Sequence, residues 1–152
     1  PFWIAMELIT FDQFLKIIEK LNPQVFSKRG ENVLDKCAEK LGAENFRQLK
    51  SWLEVVKYIR NQACHNSRLW NSKHMIPKGL NSYSRVEEEN LNPHRIYLII
   101  LAIHLITKDS IVIDGNIKEE IKELFEKYRG KIINLEKQMG FPQNWIMESI
   151  WN

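Results

Sequence analysis

The chain has 152 residues, 44% hydrophobic and 27% charged, which suits one soluble domain with a buried core. Its 22 Lys and Arg against 19 Asp and Glu leave a net charge of +3, too mild a balance to name a partner alone. Two cysteines, Cys37 and Cys64, form no C-x-x-C pair, which excludes a zinc ribbon or a dithiol redox motif. The longest apolar run, Ile96 to Ile106, is too short to span a bilayer, so no membrane partner is expected. Two cysteines without a signal peptide lead to the expectation of reduced thiols in the cytoplasm.

Helical periodicity dominates, and the expected class is all-α, a bundle of about five to six helices. Phe2 to about Leu21 is a first helical region, with Phe11, Phe14, Leu15, Ile18 and Leu21 as its stripe and a bend near Thr10, where Asp12 is a candidate internal cap. Residues 31 to 41 form a second helix that turns Val33, Leu34, Cys37, Ala38 and Leu41 inward and stops at Gly42. Residues 44 to about 66 form the third. Residues 67 to 90 read as an irregular loop, and a loop that long inside a compact domain usually serves function. Asn92-Pro93 opens a fourth helix, apolar all round and so central, that runs to about Lys108. Asp114 to about Tyr128 is an acidic, amphipathic fifth, and residues 131 to 138 make a short sixth. The tail "MGFPQNWIMESIW" should pack Phe141, Trp145, Ile146 and Trp151 onto the bundle.

Charge is unevenly spread. From Val55 to Val86 there are six Lys or Arg (Lys57, Arg60, Arg68, Lys73, Lys78, Arg85) and no Asp or Glu, a window that favours an anionic partner. Inside it lies "RNQACHNSRLWN", residues 60 to 71. On a helical wheel Arg60 falls within the apolar arc of Leu49, Trp52, Leu53, Val56, Ile59 and Ala63. A charge there is costly unless it is paired or faces a partner. Acids of the fifth helix are candidate partners, and a subunit interface is the alternative. Asn61 and His65 share a polar face, whereas Arg60 and His65 are about 140° apart. Taken singly, each residue has a plainer role: His65 as a helix C-terminal cap, Arg60 as an ion-pair partner, Trp70 as a core anchor, His104 as a hydrogen-bonded core residue. His74 and His94 carry no pairing signal, and the four histidines have no metal-ligand spacing.

Taken together, the same residues resemble a known signature. An Arg followed by a polar residue, with a His a few positions on, resembles the motif of the HEPN superfamily. The longer string resembles the Abi-type abortive-infection proteins, the AbiD/AbiF group, which read approximately Arg-Asn, a few small or apolar residues, His-His, any residue, Arg-Leu-Trp-Asn. Arg60, Asn61, His65, Arg68, Leu69, Trp70 and Asn71 fit in register, with Asn66 in place of the second histidine. "PFWIAMELITF" and "MGFPQNWIMESIW" resemble that group's flanking segments, so the likeness runs along the chain. It implies a single HEPN-like helical domain over residues 1–152 that forms the C-terminal part of a longer protein, in keeping with a chain that opens on Pro1.

The resemblance implies a metal-independent endoribonuclease of a bacterial anti-phage, abortive-infection system, with no cofactor and no metal. RNA supplies its own nucleophile, a histidine moves protons near neutral pH, and an arginine holds phosphate through paired hydrogen bonds. His65 is then the general acid or base, Arg60 the phosphate clamp and Asn61 the residue that orients His65 or the phosphate. The products carry 2′,3′-cyclic phosphate and 5′-hydroxyl ends. Arg68, Lys73 and Lys78 guide the RNA backbone, and Asn66, Trp70 and Asn71 brace the motif. A homodimer in which one copy's Arg60 acts beside the other's His65 would answer the wheel difficulty. A regulatory RNA or an antitoxin is a further expected partner. The competing expectation is a catalytically inactive HEPN-like module that binds RNA or protein.

Overall fold

The structure, a computed structural model, describes residues 9–28, 30–80, 89–109, 116–131 and 133–151. It is an all-α helical bundle. Among the described residues the α-helices are α1 (Phe11–Lys20), α2 (Val33–Glu39), α3 (Phe46–Cys64), α4 (Tyr97–Thr107), α5 (Ile117–Tyr128) and α6 (Leu135–Met139). A two-stranded antiparallel ribbon, β1 (Ser27–Lys28) with β2 (Glu31–Asn32), leads into α2. The expected helical segment before Ile9, Arg85 with the adjacent stretch of the long loop, and the expected start of the fifth helix at Asp114 lie outside the described residues.

Caps explain most of the boundaries. Thr10 begins α1: Gln13 N–H donates to Thr10 Oγ1 at 3.2 Å and Thr10 N–H donates to Gln13 Oε1 at 2.8 Å, a reciprocal capping box. Asp12, the expected internal cap, instead pairs with Lys16 at 2.8 Å and Lys57 at 2.9 Å. Four helices begin on an asparagine whose Oδ1 accepts a first-turn N–H: Asn32 for α2, Asn45 for α3, Asn116 for α5 and Asn134 for α6. The fourth helix starts at Tyr97, later than Asn92-Pro93 suggests. Asn92 Oδ1 accepts His94 N–H at 3.0 Å and Asn92 O accepts Arg95 N–H at 3.1 Å, which makes those residues a turn.

The core gathers around α3 and α4. Phe46, Leu49, Trp52 and Leu53 of α3 pack with Tyr97, Leu98, Leu101, Ala102 and Leu105 of α4, joined by Leu15, Leu34, Ala38, Ile121 and Phe125 from the other helices. The tail closes one side. Phe141, Trp145 and Trp151 are buried, and Ile146 packs partly buried against them. Ring centroids lie 4.7 Å apart for Tyr97 and Phe141, and 5.0 Å apart for Trp145 and Trp151. A second, small cluster of Val55, Ile59 and Ile99 carries the core towards the end of α3. No described helix is long and apolar enough to cross a membrane.

Candidate functional site at the end of the third helix

The site begins with how α3 stops. His65 is the C-cap residue, and its backbone N–H reaches Asn61 O at 3.1 Å and Gln62 O at 3.2 Å. Asn66 follows at φ +53°, in the left-handed region. Asn66 N–H then donates to Ala63 O at 3.0 Å and Ser67 N–H to Gln62 O at 3.0 Å. These two bonds are the paired closure of a Schellman motif, which needs a left-handed residue where Asn66 stands. Asparagine is among the few non-glycine residues that enter this region readily. Asn66 therefore helps to close the helix through its backbone, and His65 caps it through its N–H rather than its ring.

Arg60 is exposed, which corrects the expectation of a buried arginine within the apolar arc. The arc is real up to Ile59, but Ala63 and Cys64 on the next turn are exposed as well. Among the described residues the acids of α5 do not pair with Arg60; its Nη1 donates to Asn61 Oδ1 at 3.2 Å. Asn61 thus orients the guanidinium. The His65 ring is exposed and has no hydrogen bond among the described residues. One copy of the chain does not link Arg60 to His65.

The rest of the string turns back towards the core. Arg68 is exposed, with its guanidinium carbon 5.9 Å from the Trp70 ring centre. Trp70 is half-buried against the main core, as its anchoring role predicts, and Asn71 is half-buried beside it. Ser72 Oγ donates to Arg68 O at 2.7 Å, which holds the turn. Lys73 and Lys78 are exposed. Lys78 is fixed by its backbone, since its carbonyl accepts Trp52 Nε1–H at 2.8 Å and its N–H donates to Ser51 Oγ at 3.2 Å.

Two histidines given no role by the sequence reading do much of the positioning. His74 is buried, and its Nε2–H donates to Leu69 O at 2.9 Å. His74 N–H donates to His94 O at 2.8 Å, and His94 Nδ1–H donates back to His74 O at 3.0 Å. This exchange clips the segment after the motif to the turn before α4. His104 behaves as expected of a packed residue: its Nε2–H donates to Ile150 O at 3.1 Å and its ring lies 4.6 Å from that of Trp151. Burial pushes its pKa down, against the opposing effect of that hydrogen bond.

Electrostatics sharpen the charge count. Lys57 is neutralised by Asp12, whose carboxyl is held down at about 2 by hydrogen bonds from Lys16 and Lys57. Arg60, Arg68, Lys73 and Lys78 have no carboxylate partner among the described residues. Arg60 and Arg68 stand exposed at the end of α3, whereas Lys78 is held beside the first half of that helix, against Ser51 and Trp52. Among the described residues no three His, Cys, Asp or Glu side chains gather as a metal site would.

No curated protein and no solved structure matches the chain. Residues 1–71 match the family model described as "Abi-like protein", a segment that ends on Asn71, the last residue of the motif; over that segment the chain is similar to Abi-type proteins.

Proposed function

We propose that the chain serves in abortive infection as a metal-independent endoribonuclease, with Arg60, Asn61 and His65 as its catalytic group. The observation that carries the reading is the Abi-like match running through the whole Arg60–Asn71 string. Its support is the exposure of Arg60, Asn61 and His65 near Arg68, with no carboxylate partner for either arginine among the described residues. Arg60 holds the scissile phosphate, and Asn61, already bonded to it, sets its plane. His65 takes the proton of the RNA 2′-hydroxyl as that oxygen attacks phosphorus, or returns a proton to the departing 5′-oxygen. The bond to the 5′-oxygen breaks, leaving a 2′,3′-cyclic phosphate and a 5′-hydroxyl.

The arrangement calls for two copies. Arg60 and His65 do not meet within one chain, while Tyr58, Arg60, Ala63 and Cys64 leave one end of α3 uncovered. In a homodimer packed through that end, one copy's Arg60 acts beside the other's His65. The same lack of contact favours a second reading, an inactive HEPN-like module that only binds RNA or protein.

The test is RNA cleavage with EDTA present, comparing the native chain with His65→Ala and Arg60→Ala. Cleavage abolished in both variants, with their helical content intact, is the expected result. Cleavage that survives both substitutions refutes the assignment. Binding without cleavage by the native chain selects the second reading.

A further inference from the structure

A groove of about 1010 Å³ opens beside the end of α3, between the Asn66–Trp70 stretch and the end of α5. Leu69 and Ile96 lie in its apolar lining, and two aromatic residues, Trp70 and Tyr128, border it. The charged residues lining it are Arg68 and Lys131, both basic, with no carboxylate among the described residues. Each cation stands by one of the rings: Arg68 is 5.9 Å from the Trp70 centre and the Lys131 Nζ is 5.4 Å from the Tyr128 centre. Tyr128 is 40% exposed, so a ligand can reach its ring.

We infer that this groove holds unpaired bases of the RNA strand, next to the phosphate at Arg60 and His65. The inference rests on the ribonuclease reading and extends it to substrate selection. An apolar lining with accessible aromatic rings suits the flat faces of bases, and cations beside those rings suit the phosphates that link them. A lining with two cations and no carboxylate complements a polyanion. Continuity with the motif fixes the register, because Asn66 and Arg68 belong both to the string and to the groove. In a duplex the bases remain stacked on one another and cannot enter.

The experiment uses His65→Ala as background, so that RNA is bound and not consumed. A short fluorescein-labelled single-stranded RNA and its perfect duplex are titrated by anisotropy against that protein and against versions adding Tyr128→Ala or Lys131→Ala. Tyr128→Ala should weaken single-strand binding about tenfold and leave duplex binding unchanged. Lys131→Ala should lower the salt dependence of single-strand binding by about one counterion. Unchanged single-strand affinity in both variants, while the native chain binds and cleaves RNA, overturns the groove assignment and leaves the ribonuclease reading standing. If Tyr128→Ala converts a dimer to a monomer in sedimentation with affinity per chain unchanged, the groove is an interface between copies and the assignment fails. If the native chain neither binds nor cleaves RNA, the reading and the groove fall together.

Discussion

Asn66 separates two roles that one side chain can play at a helix end. If its left-handed backbone is what matters, glycine should replace it and a β-branched residue should not. The residue is exposed at φ +53°, and α3 closes through two hydrogen bonds of 3.0 Å, from Asn66 N–H to Ala63 O and from Ser67 N–H to Gln62 O. Each such bond contributes about 1 kcal/mol net, but water can replace a bond lost at an exposed turn. The conformational term therefore decides the outcome. A left-handed backbone costs most L-residues about 1–2 kcal/mol. Glycine escapes that cost and loses about 0.5–1 kcal/mol in chain entropy. Asn66→Gly should thus lie within about 0.5 kcal/mol of the native chain, Asn66→Ala should cost about 1 kcal/mol, and Asn66→Val about 2 kcal/mol. For a chain of this size about 1 kcal/mol moves Tm by about 2–4 °C, so the valine variant should melt about 4–8 °C lower. Thermal unfolding followed by circular dichroism measures this directly. Native-like stability of Asn66→Val, or equal damage by Gly and Val, would refute the reasoning and return the role to the amide side chain.

Two further outcomes follow from the core. Trp52 is wholly buried and donates to Lys78 O, so Trp52→Phe removes packing and leaves a carbonyl without its donor; urea denaturation should show a loss of about 2–3 kcal/mol, and a loss under about 1 kcal/mol would mean that the tie between α3 and the loop contributes little. His104 has a pKa lowered by burial from its ordinary 6.5, so the unfolded chain takes up this proton first as pH falls. Its contribution is complete above about pH 6.5 and declines below it. Native protein should therefore lose more Tm between pH 8 and pH 5.5 than His104→Phe does, and equal losses would overturn the assignment.

Much of this molecule was legible in one dimension. The stripe of Phe11, Leu15 and Ile18, the apolar run from Ile96 to Ile106 and the aromatic tail each mark an element that formed, because periodicity and apolar area are local properties of a sequence. The starts of α5 and α6 were not: residue 131 was expected to open the sixth helix, but the asparagine caps Asn116 and Asn134 set the helices to begin at Ile117 and Leu135. The place of Arg60 was not. A helical wheel gives the direction of a side chain, never the length of the helix that faces it. α3 has 19 residues and α4 has 11. The cluster of Val55, Ile59 and Ile99 is where their apolar contact ends, and one residue later the arc meets water. The exchange between His74 and His94 joins residues far apart in the chain, so no spacing rule could announce it. Sequence alone determined which helices exist and which polar string they carry. Tertiary packing decided how far the core reaches along α3, and so which of those polar side chains are left free to meet a partner.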